Sequence, residues 1–87
     1  MNSFSLTVST PDGERLRKEV VNLSVRGTEG ELAVMAGHVP FVTAVKPGIC
    51  KIELPDEPII HGRTDGGILT VSKDGVTLLA GQFSIEK

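Results

Sequence analysis

The sequence has no tryptophan and no tyrosine, and only three phenylalanines, at positions 4, 41 and 83. Its interior must therefore be assembled from Val, Leu and Ile, which are among the most readily buried side chains. The aromatic platforms that small-ligand and sugar-binding modules present are missing too. Cysteine occurs once, at Cys50. One cysteine cannot cross-link a domain, so the disulfide-scaffold class is closed, and its apolar neighbourhood marks a small buried hydrophobe. No apolar run approaches the roughly 18 residues that a membrane helix needs. The start, MNSFSLTVST, has neither the charged region nor the apolar core of a signal peptide. Histidine occurs only at His38 and His61, too few for the converging ligands of a zinc site or for a defensible Ser-His-Asp set. There is no Gly-Lys pair, and no glycine cluster has the G-x-G-x-x-G spacing, so neither kind of nucleotide loop is present. Nine basic and eleven acidic residues give a net charge of −2, without the basic footprint of a nucleic-acid binder. Arg15, Arg17 and Lys18 sit between Glu14 and Glu19 and read as a solvated face. No cofactor, no metal and no nucleic-acid partner is expected.

What is present is alternation. The 87 residues make one small domain, which buries only roughly 60% of its unfolded surface and has a thin margin of stability. In SFSLTVS, Phe4, Leu6 and Val8 fall on one side and serines and threonine on the other, the period of a half-buried strand. TPDG at Thr10 to Gly13 supplies turn chemistry. From Arg15 to Val25 the later part alternates with Val21, Leu23 and Val25 on one face. Leu16 is out of phase with them, which predicts a bulge or strand break near Lys18 to Val20. Short strands are expected at Leu32 to Met35 and Phe41 to Val45. In ICKIEL, Cys50, Ile52 and Leu54 share a face. Further strands follow in IIHG, GILTVS and VTLLAG, and QFSIEK reads as a last edge strand. Asp74-Gly75 between alternating runs is a strong hairpin signal. Turn residues thus recur roughly every 8 to 12 positions, as in an all-β sandwich or barrel.

The stretch GTEGELAVMAGHVP, Gly27 to Pro40, carries the densest concentration of glycine, acid and histidine. Gly27 and Gly30 allow a tight turn that presents Glu29 and Glu31. On residue type alone these acids form a solvated loop or an acidic surface patch. Val39, Pro40, Phe41 and Val42 in a row break the in-out alternation. Such a run is either buried on both sides or an exposed apolar patch that a partner covers.

In their order and spacing, TPDG, then GTEGELAVMAGHVPFVTAVKPG, then GGILTVSKDGVTLLA resemble the epsilon-subunit family of F-type ATP synthases, over roughly residues 4–80. The resemblance implies an all-β fold: a small sandwich of about ten short, mostly antiparallel strands with no long helix. It implies a non-catalytic place at the foot of the central stalk, clamped to the gamma subunit and resting on the polar loops of the membrane c-ring. There the subunit would couple proton translocation to ATP synthesis. By resemblance, Glu31, with Glu29 beside it, faces the c-ring. The turn at Gly37, His38 and Pro40, with Val39, Phe41 and Val42, lies toward gamma. Gly27, Gly30, Gly37, Gly48, Gly67 and Gly75 would shape the turns. The implied location is peripheral, on the cytoplasmic face of a bacterial plasma membrane, touching the membrane only through the ring. Family members usually continue into a C-terminal helical hairpin that brakes hydrolysis and in some binds ATP. AGQFSIEK does not lead into a helical pattern, so neither brake nor ATP site is carried over: the chain is a naturally short form or a fragment, and the strand-like alternation of FSIEK favours the former. The competing reading, a free-standing β-sandwich that binds a ligand, rests on fold class alone, which does not imply function.

Overall fold

Two-residue alternation is satisfied by strands that bury one face, and the computed structural model, which describes residues 2–37 and 39–86, contains ten of them. In chain order they are β1 (Phe4–Thr10), β2 (Gly13–Val20), β3 (Asn22–Gly27), β4 (Gly30–Met35) and β5 (Phe41–Val45). There follow β6 (Gly48–Glu53), β7 (Ile60–Thr64), β8 (Gly67–Ser72), β9 (Gly75–Ala80) and β10 (Phe83–Glu86). They form one continuous sheet in the order β10-β7-β6-β3-β5-β8-β9-β1-β2, with β4 on the far side of β3. The link between β3 and β5 is narrow, Gly27 opposite Val45. At that corner the sheet folds over into two five-stranded leaves, β4-β3-β6-β7-β10 and β5-β8-β9-β1-β2. The pairings are antiparallel except that of β1 with β9, which is parallel.

The leaves close on aliphatic side chains. Leu6, Val8, Leu69 and Leu78 from one leaf and Leu23, Val25, Val34 and Ile52 from the other are each 1% exposed or less. Each such burial contributes about 1.5–3 kcal/mol. Phe83 adds the one fully inward aromatic, its ring lying against Gly62, where a Cβ would strike it.

The phase conflict at Leu16 resolves slightly later than expected. β2 turns Leu16 and Val20 inward, whereas β3 turns Leu23 and Val25 inward. The change falls at Val21, between the strands, whose N–H donates to the Glu53 carbonyl at 2.8 Å. Val20, not Val21, is therefore the core residue, and the break lies just beyond Lys18 to Val20. A bulge does occur, at Arg15. The β1–β2 register slips between Val8 and Ser9, which leaves Arg15 as the extra residue on β2 and turns it to solvent.

Among the anticipated turn glycines, Gly30, Gly37, Gly48 and Gly75 have positive φ, while Gly27 and Gly67 do not. Gly67 is needed for proximity instead, since a Cβ there would overlap the Leu79 carbonyl across the β8–β9 pair. Gly66, at φ 99°, takes the left-handed position beside it. Strand direction gathers the connections 11–12, 28–29, 46–47, 65–66 and 81–82 at one end, the base. Lys46 N–H donates to the Arg26 carbonyl there at 2.8 Å. Gln82 N–H donates to Asp65 Oδ1 at 2.9 Å, and Thr64 Oγ1 donates to the Gln82 carbonyl at 3.2 Å. Neighbouring turns are thus pinned to each other.

Gly67→Ala should destabilise the domain by about 1–3 kcal/mol, because backbone must shift to admit the methyl group. Gly75→Val should act similarly through a β-branched residue at φ 150°, with the Ser5 carbonyl 3.1 Å from its Cβ. Urea unfolding measures both, and variants as stable as the parent would refute these roles. Burial pushes the Cys50 thiol up from 9.0 to about 11. Below pH 9 both states keep the proton and stability is intact. Between pH 9 and 11 the unfolded chain releases it while the folded core retains it, so stability falls as pH rises. The parent should therefore lose stability over that window with an added slope of up to about 1.4 kcal/mol per pH unit. Cys50→Ala should lack that added slope.

Candidate interaction surfaces

The base carries the acidic loop. Thr28 and Glu29 form the turn between β3 and β4, and Glu29 is exposed at its tip. Glu31 is exposed one strand position further on, directly across from Arg26. The two acids therefore do not share a strand face; one tops the turn and the other flanks it. Beside them lies a recess of about 380 Å³ lined by Arg26, Gly27, Gly30, Glu31, Lys46 and Ile49. It is a shallow polar site at the meeting point of two turns.

The apolar run resolves as exposed. Phe41 turns inward and packs against the core, while Val39 and Val42 are 69% and 66% exposed, and Pro40 is exposed between them. His38 lies outside the described residues. Val42 belongs to the outer face of the β5-β8-β9 leaf. Register places Ala44, Ile68 and Leu79 side by side on that same face. Ile68 is 45% exposed and Leu79 53%. Apolar side chains grouped on an exposed sheet face make it a candidate for a surface that a partner covers. Ile68 and Leu79 were absent from the sequence-based candidates, yet a signal for them exists. Each adjoins an inward apolar neighbour, Leu69 and Leu78, in a strand that needs only one apolar face.

The basic cluster on β2 is solvated and paired. Arg17 contacts Glu14 at 2.7 Å, Arg15 contacts Asp12 at 3.7 Å, and Lys18 contacts Glu57 at 3.7 Å. The Arg17 hydrogen bond holds the Glu14 carboxyl below its ordinary value. Among the described residues no three His, Cys, Asp or Glu side chains come together as a metal site.

Comparison with known proteins gives the family to which this fold belongs. Residues 3–85 match the family described as the ATP synthase delta/epsilon chain, beta-sandwich domain. The ATP synthase epsilon chain of Wolbachia pipientis subsp. Culex pipiens (strain wPip) is 33% identical over 85 residues, 98% of this chain and 75% of that protein. A chain of the Euglena gracilis mitochondrial ATP synthase, in a cryo-EM structure of OSCP, F1 and c-ring, superposes with a TM-score of 0.89 at 26% identity. The match covers 95% of this chain but only 53% of that one. A chain from the central stalk and c-ring of the Tetrahymena thermophila mitochondrial enzyme has a TM-score of 0.79. At 16% identity, over 92% of this chain and 64% of that one, it supports the fold alone. The chain spans about half the length of the Euglena chain and under two thirds of the Tetrahymena chain. A match over nearly every residue, with the same sandwich, means that the chain belongs to the ATP synthase delta/epsilon family and forms its β-sandwich domain.

Proposed function

We propose that this domain is a non-catalytic, central-stalk element of an F-type ATP synthase that joins the gamma subunit to the membrane c-ring. One observation supports it above others: the molecule has two exposed surfaces of different chemistry. The outer face of one leaf carries the apolar side chains of Val42, Ala44, Ile68 and Leu79 among threonines, and the base is polar, through Glu29 and Glu31. An apolar face suits a permanent subunit contact, since obligate interfaces are the more hydrophobic kind. A charged rim suits a moving or adjustable contact, because such charges set encounter and register more than affinity. Gamma would then lie along the apolar face and the ring loops under the base, with Lys or Arg of those loops as partners for Glu31. The Val39–Pro40 segment borders the gamma side. The domain is peripheral to the membrane, on the cytoplasmic face in a bacterial host, and meets the membrane only through the ring. A ligand-binding module is not favoured, because the relatives are ATP synthase subunits and no aromatic platform exists to hold a ligand.

Co-elution with the cognate gamma subunit on a sizing column tests the stalk role; a stable one-to-one complex is expected. Ile68→Glu and Leu79→Glu should each weaken that complex about tenfold or more while leaving the melting temperature within a few degrees, since both side chains face solvent in the free domain. Full affinity in the double variant would remove gamma from this face. Glu31→Lys should leave the fold intact but lower proton-driven ATP synthesis in reconstituted vesicles. An undiminished rate there would take the ring contact away from Glu31.

A further inference from the structure

We infer that the free edge of β4 is a strand-docking site that receives an extended segment of the stalk partner, an inference that rests on the stalk reading above. The outer strands of the folded sheet differ in how they are guarded. β2 carries Glu14, Arg15, Arg17, Lys18 and Glu19 along eight residues, and a charged edge repels a further strand. β10 is only four residues long. β5 is tied through Val45 to β3. β4 has none of these devices. Its sequence, GELAVM, has one charge at the base end and no proline. It runs in unbroken register with β3 from Gly30 to Met35. Its other side pairs with nothing among the described residues. A regular, mostly apolar edge of this kind invites pairing, and natural proteins cover such edges when they do not blunt them.

A second observation says what shape the cover has. Along the upper half of β4 the two leaves part and leave a cleft of about 520 Å³. Phe4, Val34, Met35, Pro40, Val71 and Val76 are among its lining, together with the charged side chains of Glu19, Lys73 and Asp74. Met35 is 59% exposed at its rim. A strand laid against β4 would bond through backbone amides and carbonyls, without regard to sequence. Every second side chain would point into the cleft and choose the sequence. Pro40 belongs both to this cleft and to the exposed Val39–Val42 run, so edge, cleft and apolar face are continuous and one partner covers all three. The fitting segment is extended, about five or six residues long, aliphatic at alternate positions and free of proline in its middle.

The test is backbone amide exchange on the full chain, alone and in its purified complex with the cognate gamma subunit. Alternate amides between Glu31 and Met35 should exchange freely in the chain alone and slow by more than about tenfold in the complex, as newly bonded edge amides do. Met35→Glu should weaken the complex about tenfold without changing the melting temperature, and Met35→Leu should restore it. If the complex forms while β4 amides exchange as before, or if Met35→Glu binds like the parent, the docking site is wrong and the stalk reading survives. If the parent forms no complex with gamma, both fall. Concentration-dependent protection of β4 without gamma would assign the edge to a second copy of this chain and overturn the proposal.

Discussion

Leu6, Val8, Leu69 and Leu78 meet Leu23, Val25, Val34 and Ile52 across the sandwich, and this aliphatic contact holds every other feature in place. Close packing is also enforced within each leaf, between neighbouring strands. Gly62 leaves room for the Phe83 ring, and Gly67 lets β8 pass hard against the Leu79 carbonyl. Close-packed interiors transmit such demands, because a misplaced methyl group has nowhere to go. Here the glycines with negative φ carry as much structural meaning as those in turns.

The corner at Gly27 and Val45 organises the surfaces. Because the sheet bends there, the turn that bears Glu29 and the strand that bears Val42 lie on either side of one fold line. The hydrogen bonds that pin Lys46 to Arg26 and Gln82 to Asp65 keep the turns of the base from moving independently. Force applied to one turn of the base would be shared by its neighbours. The residues proposed as contacts sit on connections and outer faces, but the scaffold beneath them is strand.

Much of the fold was legible because alternation records which side of a strand is buried. Cys50, Ile52 and Leu54 announce their face directly, and all three are buried. Alternation is silent about residues between strands and about extra residues within them, which is why the phase change at Val21 and the bulge at Arg15 were displaced from where the pattern placed them. The surfaces were less legible for a related reason. Val39 to Val42 stood out because four apolar residues in a row violate the period. Ile68 and Leu79 hide next to core residues, and only cross-strand register brings them together with Ala44. Register is a property of pairs of strands distant in sequence, so no single window contains it. The order of β4 in the sheet, with one edge unpaired, is equally invisible in the sequence of β4 itself.

The parallel pairing of β1 with β9 has a consequence for how the chain reaches this state. Leu6 stands beside Val76, 70 positions later (76 − 6). The first strand of this domain is thus an interior strand of its leaf, flanked on one side by its own hairpin partner β2 and on the other by β9, the next-to-last strand of the domain. Closing so long a loop must precede any reward from the contact, which slows topologies of this kind. During synthesis the apolar side of β1 waits, half covered, until almost the whole domain has left the ribosome. Translation order therefore imposes a late, all-at-once closure of this domain, and the nascent domain is most in need of protection from aggregation just before β9 emerges.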